Sequence, residues 1–279
     1  MISDNVLKYF DRKNVLVTGG TGLIGRQVVD ILVDSGANVK IASLDKNKVN
    51  DKADHVIADL CNFKLCKSIS KDMDCVFHVA GIKGSVKVTK EKPASFFVPL
   101  LQMNTNMLEA ARINKVSKVV YTSSIGAYSS ADVFIEGQNE DGPPMDEFPG
   151  MAKRIAEQQI AAYKIQYGLD NFAIVRPANV FGEGDSFDPN SAMVIPSLMH
   201  RIHSGEDPVV IWGDGSAIRD FAYSKDVAEG IILALYYGTN SKYVNLGSGL
   251  GYSIKELVET LRKFIDFNYI FNNYSWLPL

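Results

Sequence analysis

The sequence predicts an α/β protein, a doubly wound parallel sheet followed by a small C-terminal lobe that looks truncated, and three observations predict it. Short β-branched and apolar runs alternate with amphipathic helical patterns from Val15 onward, the mark of strands joined by crossover helices. The first run, Val15 to Val17, is apolar without alternation, as a parallel strand covered on both faces requires. It leads into glycines at 19, 22 and 25, a spacing that lets a strand turn sharply into a helix whose first amides face an anion.

Each element follows in order. The opening stretch MISDNVLKYFDRKN mixes charges with single apolar residues and lacks the continuous apolar segment of a secretory leader. After the glycine turn, Leu23, Ile24, Val28, Ile31 and Leu32 form one apolar helical face, and Val39 to Ala42 is a second strand beyond Gly36. Asp45 stands twenty residues past Gly25, where a carboxylate meets an adenosine ribose in dinucleotide-binding units. His55 to Ala58 and Cys75 to Val79 are β-like runs. They end in Asp59 and Leu60 and in Ala80 and Gly81, at the carboxyl edge where open α/β sheets bind ligands. A helix over 97–113 and a strand over 119–122 bring Ser123 and Ser124 to the same edge.

Residues 129–150 are rich in turn formers and acids and read as a loop on the ligand side. Ala152, Ala156, Ile160 and Tyr163 then recur at helical spacing, with Lys153 and Arg154 flanking the stripe. Phe172 to Val175 is a sixth strand ending in Arg176 and Pro177. Beyond it, 182–192 reads as a loop, 193–204 as a helix, 209–212 as a strand, 225–237 as a helix, 243–246 as a strand and 253–264 as a helix. The expected organisation is a dinucleotide-binding domain over 1–176, to which 225–247 returns, and a mainly substrate-binding lobe over 177–279.

Composition narrows the function. A net charge of −3 argues against a surface built for nucleic-acid phosphates, and no apolar run approaches the roughly 20 residues that span a bilayer. Cys61, Cys66 and Cys75 are odd in number and lack C-x-x-C spacing, so they read as reduced thiols of a cytoplasmic protein. His200 and His203 are spaced i, i+3 without a third ligand, and no metal site is expected.

Read together, TGGTGLIG (18–25), ADL (58–60), VFHVAG (76–81), YTSS (121–124), RPANVFG (176–182) and RDFAYSKDVA (219–228) resemble the extended short-chain dehydrogenase/reductase superfamily. These are the NAD(P)-dependent epimerases and dehydratases of nucleotide sugars, built on a Rossmann fold, and the resemblance covers nearly the whole chain. Within the superfamily, AGIKGS, GDSFDPNSAMVIPSLMHRI and VVIWGDGS are similar to segments of the GDP-L-fucose synthase-like enzymes. The resemblance implies that Gly19, Gly22, Leu23, Ile24 and Gly25 cradle a pyrophosphate, that Asp59 and Leu60 meet adenine, and that Ala80, Gly81 and Pro177 line the cofactor. It implies that Ser123 or Ser124 bonds a sugar oxygen, that Lys153 holds the nicotinamide ribose, and that Lys83, Asn179 and Arg219 bind a nucleotide-sugar substrate. Plainer roles exist for several of these: a turn cap for Asp59, a solvated helix charge for Lys153, a structural ion pair for Arg219 with Asp220. NAD is expected over NADP, because the Asp45 carboxylate repels a 2′-phosphate, although Ser43, Lys46 and Lys48 lie close by. A homodimer through the helices beginning near Phe97 and Gly150 is the family expectation.

Three departures stand out. The family pairs Tyr-x-x-x-Lys on one helix face, but four residues before Lys153 stands Pro149, which moves no proton. Tyr128 is the first substitute and Lys83 the second, with a packing role the plain alternative for Tyr128. Neither SSIGAY nor FGEGD holds the Cys or His of a double epimerase. The chain also ends in FNYIFNNYSWLPL, aromatic and aperiodic, sooner than its relatives. The expected function is NAD-dependent hydride transfer on a nucleotide-activated hexose by an epimerase- or dehydratase-type enzyme. The alternatives are a non-catalytic dinucleotide-binding protein and a reductase of small carbonyls.

Overall fold

Alternate residues of the central strands belong to two different cores, which is why the strands read as unbroken apolar runs. Val15 and Val17, Cys75 and Phe77, Val120, and Ala173 and Val175 face one core. Leu16, Val76, Val119 and Tyr121, and Phe172 and Ile174 face the other. The computed structural model describes residues 2–82, 84, 86–138, 140–188, 191–240 and 242–272. In chain order these form α1 (Asp4–Phe10), β1 (Asn14–Thr18), α2 (Leu23–Asp34), β2 (Asn38–Ser43), β3 (Asp54–Ile57), α3 (Phe63–Ile69), β4 (Cys75–His78), α4 (Val86–Glu91) and α5 (Pro93–Ile113). There follow β5 (Lys118–Thr122), a 3-10 turn over Ile125–Ala127, α6 (Glu147–Tyr167), β6 (Phe172–Pro177), β7 (Asn179–Phe181), α7 (Val194–His203) and β8 (Val209–Trp212). The last elements are β9 (Ile218–Tyr223), α8 (Ser224–Tyr237), β10 (Tyr243–Leu246), β11 (Gly251–Ser253), α9 (Ile254–Arg262) and β12 (Tyr269–Asn272).

The main sheet has seven strands in the order β10-β6-β5-β4-β1-β2-β3, and every pairing is parallel. The order reverses beside β1, so the connections leaving β1 and β4 diverge to opposite faces and open a crevice at the carboxyl edge. Residues of α1, α2 and α8 pack one face, and those of α3, α5 and α6 pack the other. α1 is part of the fold: Ile2, Val6 and Phe10, one turn apart, are buried in the first core.

The remaining strands build a second layer beside the sheet, as a three-stranded β11-β9-β7 unit and a two-stranded β12-β8 unit. A third core, including Leu198, Ile202, Val209, Ile211 and Val258, packs the two-stranded unit with α7 and α9, whereas Ala222 of β9 and Val180 of β7 join the first core. Here the aperiodic reading of the final segment is corrected. Tyr269–Asn272 pairs in parallel with Val209–Trp212, and its alternation is that of a half-buried strand, with Tyr269 and Phe271 against the third core and Ile270 50% exposed.

Helix ends follow local chemistry. Pro93 opens α5, where a missing N–H costs nothing. Gly168 ends α6 in the left-handed conformation at φ 67°. Ser253 and Glu256 cap α9 reciprocally. Pro149 is the third residue of α6, within the first turn whose amides lack intrahelical acceptors.

Candidate active site

Between β1 and α2 the glycines do different jobs. Gly19 has φ +68° and its Cα lies so close to the β4 connection that a Cβ would sit 2.7 Å from Ala80 Cα. A Cβ on Gly25 would collide with the Gly19 carbonyl, so α2 can pack on the turn only with glycine there. Gly22 caps α2 with ordinary extended dihedrals, and a Cβ on it would have no neighbour nearer than Gly19 O at 3.4 Å. Its lack of a side chain is not required by the protein's own packing; it leaves room beside the first amides of α2. Leu23 and Gly25 are buried beneath the turn, and Ile24 is half-buried.

Carboxylates stand at the ends of the neighbouring strands. Asp45, exposed after β2, accepts a hydrogen bond from the Thr21 hydroxyl of the glycine turn, which ties the β2 end to the pyrophosphate position. Asp59, exposed after β3, accepts from the Cys61 amide at 2.9 Å, and Leu60 is buried with its carbonyl held by Asn106 Nδ2 at 3.0 Å. Ala80 donates weakly to Thr18 Oγ1 at 3.4 Å. Gly81 is exposed, and a Cβ on it would lie 3.8 Å from Lys153 Nζ. The crevice thus offers helix amides for a diphosphate, exposed carboxylates for hydroxyl and amino donors, and a cation at its far end. That donor set fits a nicotinamide dinucleotide.

Beneath the crevice runs a buried polar column that sequence reasoning missed. Thr18 Oγ1 lies 2.7 Å from His78 Nδ1, His78 Nε2 lies 3.1 Å from Asn104 Oδ1, and Asn104 Nδ2 donates to the Tyr121 hydroxyl at 3.0 Å. Burial and the nearby Lys153 charge push His78 down to about 3, so it stays neutral and serves as a strut between β1, β4 and α5. Lys153 donates to Thr122 O at 2.6 Å and lies over the Tyr121 ring at 5.1 Å. Burial lowers it to about 8, a pull that the Glu157 carboxylate partly opposes.

The two serines part company. Ser123 is buried and donates to Glu157 Oε1 at 2.5 Å, so it belongs to the interior. Ser124 is half-buried, its Oγ accepting from the Gly126 amide at 3.0 Å, and it is the serine beside the crevice. Glu157 also receives a two-pronged contact from Arg176, with Nε at 2.9 Å and a second nitrogen at 2.5 Å. Burial pulls the Arg176 guanidinium down, but the Glu157 carboxylate outweighs it and holds the group above its ordinary value. Glu157, four residues after Lys153 on one helix, was open to discovery by spacing.

Tyr128 is fully buried, stacked on Phe134 at 5.1 Å, covered by the Arg176 guanidinium at 4.3 Å, and its hydroxyl donates to Asn245 Oδ1 at 2.9 Å. Burial raises its phenol, and nothing of it is offered to a substrate. These contacts are those of a packing residue. Lys83 lies outside the described residues.

On the lobe side, Asn179 donates to Asp220 O at 3.1 Å and is half-buried at the start of β7. Arg219 is exposed on β9, donating to Ile218 O at 2.7 Å. It forms no ion pair with Asp220, whose carboxylate instead caps the turn after β10 through the Ser248 and Gly249 amides at 2.9 and 3.0 Å. Pro177 is buried at the end of β6.

The sequence profile of the NAD dependent epimerase/dehydratase family matches residues 15–247. A protein named putative UDP-glucose 4-epimerase from Methanocaldococcus jannaschii is 33% identical over 91% of this chain and 83% of its own length. One named probable GDP-L-fucose synthase 1 from Oryza sativa subsp. japonica is 30% identical over 91% of this chain and 77% of its own. Among solved structures, a UDP-N-acetylglucosamine 4-epimerase from Methanobrevibacter ruminantium M1, in complex with UDP-N-acetylmuramic acid, has a TM-score of 0.83 at 29% identity. That match covers 95% of this chain and 87% of that one.

Proposed function

The chain belongs to the NAD-dependent epimerase/dehydratase family, a family of enzymes, and from that premise we propose that it oxidises and reduces a nucleotide-activated hexose by hydride transfer. What supports this reading is the carboxyl edge of the sheet, where β1 ends in the open Gly22 turn and β5 ends in Thr122, whose carbonyl holds Lys153 Nζ, and in the half-buried Ser124 that follows. A bound nicotinamide dinucleotide supplies the hydride acceptor. The chain's own residues do the rest. The Gly19 to Gly25 turn and the amides of α2 bind the diphosphate, Asp45 receives the adenosine ribose hydroxyls, and Asp59 and the Leu60 amide meet adenine. Ala80, Gly81 and Pro177 line the path, and Lys153 orients the second ribose and keeps positive charge where an alkoxide develops. Ser124 orients the sugar hydroxyl. Asn179 and the exposed fork of Arg219 hold the substrate's diphosphate, a task suited to a planar guanidinium.

NAD is the preferred cofactor in this reading, because the Asp45 carboxylate meets a 2′-hydroxyl and repels a 2′-phosphate. Calorimetric titration with NAD, NADP, UDP-glucose, UDP-N-acetylglucosamine and GDP-L-fucose tests it, followed by transfer of deuterium from the sugar to the cofactor. NAD and one nucleotide sugar are expected to bind, and Arg219→Ala to weaken only the sugar nucleotide. Failure of every nucleotide sugar to bind at millimolar concentration would remove the proposal. Pro149 and the sealed Tyr128 favour a second reading, a dinucleotide-binding homologue without turnover. Binding of both ligands with no deuterium transfer would select it.

A further inference from the structure

The helix face that carries Lys153 begins with an acid. Asp146 caps α6, and positions 146, 150, 153 and 157 fall on one stripe of a 3.6-residue helix. Two glycines let that stripe press on the turn after β5. A Cβ on Gly150 would collide with the Gly126 carbonyl, and a Cβ on Gly126 would collide with Asp146 Oδ2. The carboxylate therefore occupies the space that a side chain at 126 would take. The Asp146 amide donates to Gly126 O at 3.2 Å, and the Gly150 amide donates to Asp146 O at 2.6 Å, so the backbone fixes where the side chain starts. On the other side of the same glycine, the Gly126 amide holds Ser124 Oγ at 3.0 Å. Ser124 Oγ and the Asp146 carboxylate thus both lie against Gly126.

The Asp146 carboxylate makes no cap to its own helix and has no ion-pair partner among the described residues. Although the residue as a whole is exposed, its carboxylate end lies against the Gly126 turn, and that desolvation raises its proton affinity above the usual carboxylate value. The other groups one would enlist are committed. Tyr128 and Tyr121 are fully buried, His78 is sealed in the polar column, and Lys153 donates to Thr122 O.

Resting on the hydride-transfer reading above, we propose that Asp146 is the catalytic acid and base of this enzyme, standing in for the phenol that Pro149 removes. In the oxidising direction the sugar hydroxyl gives its proton to the Asp146 carboxylate, and the hydrogen on the same carbon leaves with its electron pair to the nicotinamide ring of the bound dinucleotide. The C–OH becomes C=O, the cofactor is reduced, and the carboxylic acid holds the proton until the reverse step returns it. Proline at 149 then follows from this arrangement: it stiffens the first turn of the helix that Asp146 begins.

Two measurements test this. The first uses the ligand-free protein labelled with carbon-13 at the aspartate carboxyls, the Asp146 resonance being assigned by its absence from Asp146→Asn or Asp146→Glu. It is expected to titrate above the other aspartates, and a midpoint at or below theirs overturns the proposal. The second is single-turnover deuterium transfer with UDP-glucose, UDP-N-acetylglucosamine and GDP-L-fucose. Asp146→Asn is expected to slow transfer at least 100-fold, within the span of ~10²–10⁴ for a lost acid-base group. Binding of NAD and of the nucleotide sugar should stay within threefold, Asp146→Glu should keep a measurable rate, and adding Pro149→Tyr to Asp146→Asn should recover at least tenfold. Transfer by Asp146→Asn within threefold of wild type overturns the proposal while leaving the hydride-transfer reading intact. No transfer by the wild-type protein overturns both.

Discussion

Replacing Glu157 by alanine should be among the most damaging single changes in the molecule, and its size can be worked out. The Glu157 and Arg176 side chains are 7% and 1% exposed, joined at 2.5 Å. Removing one partner of such a pair costs about 3–5 kcal/mol, because the other charge stays buried without compensation. Ser123 loses its acceptor as well, adding roughly 1–3 kcal/mol. Two features oppose this. Glu140 approaches the same guanidinium at 3.0 Å from a 42% exposed position, and the Tyr243 and Tyr128 rings lie 3.5 and 4.3 Å from its carbon. Together they offset about 1–2 kcal/mol. The expected loss for Glu157→Ala is therefore about 3–6 kcal/mol, and for Arg176→Met, which leaves Ser123 its acceptor, about 3–5 kcal/mol. The double variant Glu157→Leu, Arg176→Met should lose less than either single change, since no charge is stranded. Urea unfolding followed by far-ultraviolet circular dichroism measures all of these. A loss below about 1 kcal/mol for Glu157→Ala, or strict additivity in the cycle, would refute the view that this pair anchors α6 to β6.

Three further outcomes are expected. Gly22→Ala should leave the ligand-free protein within about 1 kcal/mol of wild type, since its φ is ordinary and its surroundings open. Its affinity for NAD should nevertheless fall at least tenfold by calorimetry, whereas Gly25→Ala should destabilise the protein itself. Lys153, lowered to about 8 by burial from 10.5, binds fewer protons folded than unfolded between those values. Stability should therefore rise with pH across that window, and below pH 8 the whole penalty is present. Lys153→Met should be more stable than wild type at pH 7, by about 1–3 kcal/mol, and should flatten the rise. His78, held down at about 3 by burial from 6.5, contributes stability that is complete above pH 6.5 and is lost as pH falls toward 3. Wild type should shed up to about 5 kcal/mol there, and His78→Gln should show a shallower acid limb in the same urea titrations.

How much of this was legible in the sequence depends on how far apart the interacting residues lie. The glycine turn, the strand ends and the Lys153 helix are local patterns, and each could be read from a dozen consecutive residues. Tyr128 could not, because what seals it comes from Phe134, Arg176, Tyr243 and Asn245, brought together only when β5, β6 and β10 lie side by side. The same holds for β12, whose strand character depends on a parallel partner, β8, much earlier in the chain. α1 is a different failure: Ile2, Val6 and Phe10 already stand at i, i+4 and i+8, a helical stripe hidden by the charges between them. Asp146 escaped because an acid among turn formers reads as solvent-exposed; only the close approach allowed by Gly126 and Gly150 gives it a place in the site.

Arg154 gives the acid-rich segment after the 3-10 turn a property its composition conceals. Its guanidinium donates to the Ala127 and Gly142 carbonyls at 2.9 and 2.7 Å and reaches the Glu140 carbonyl at 3.3 Å, drawing both ends of the segment together like a drawstring. A lysine there would keep the charge, but its three donors sit on one compact nitrogen and would not reach carbonyls that Arg154 meets with nitrogens spread over a planar fork. One side chain therefore sets the shape of the whole segment between the 3-10 turn and α6.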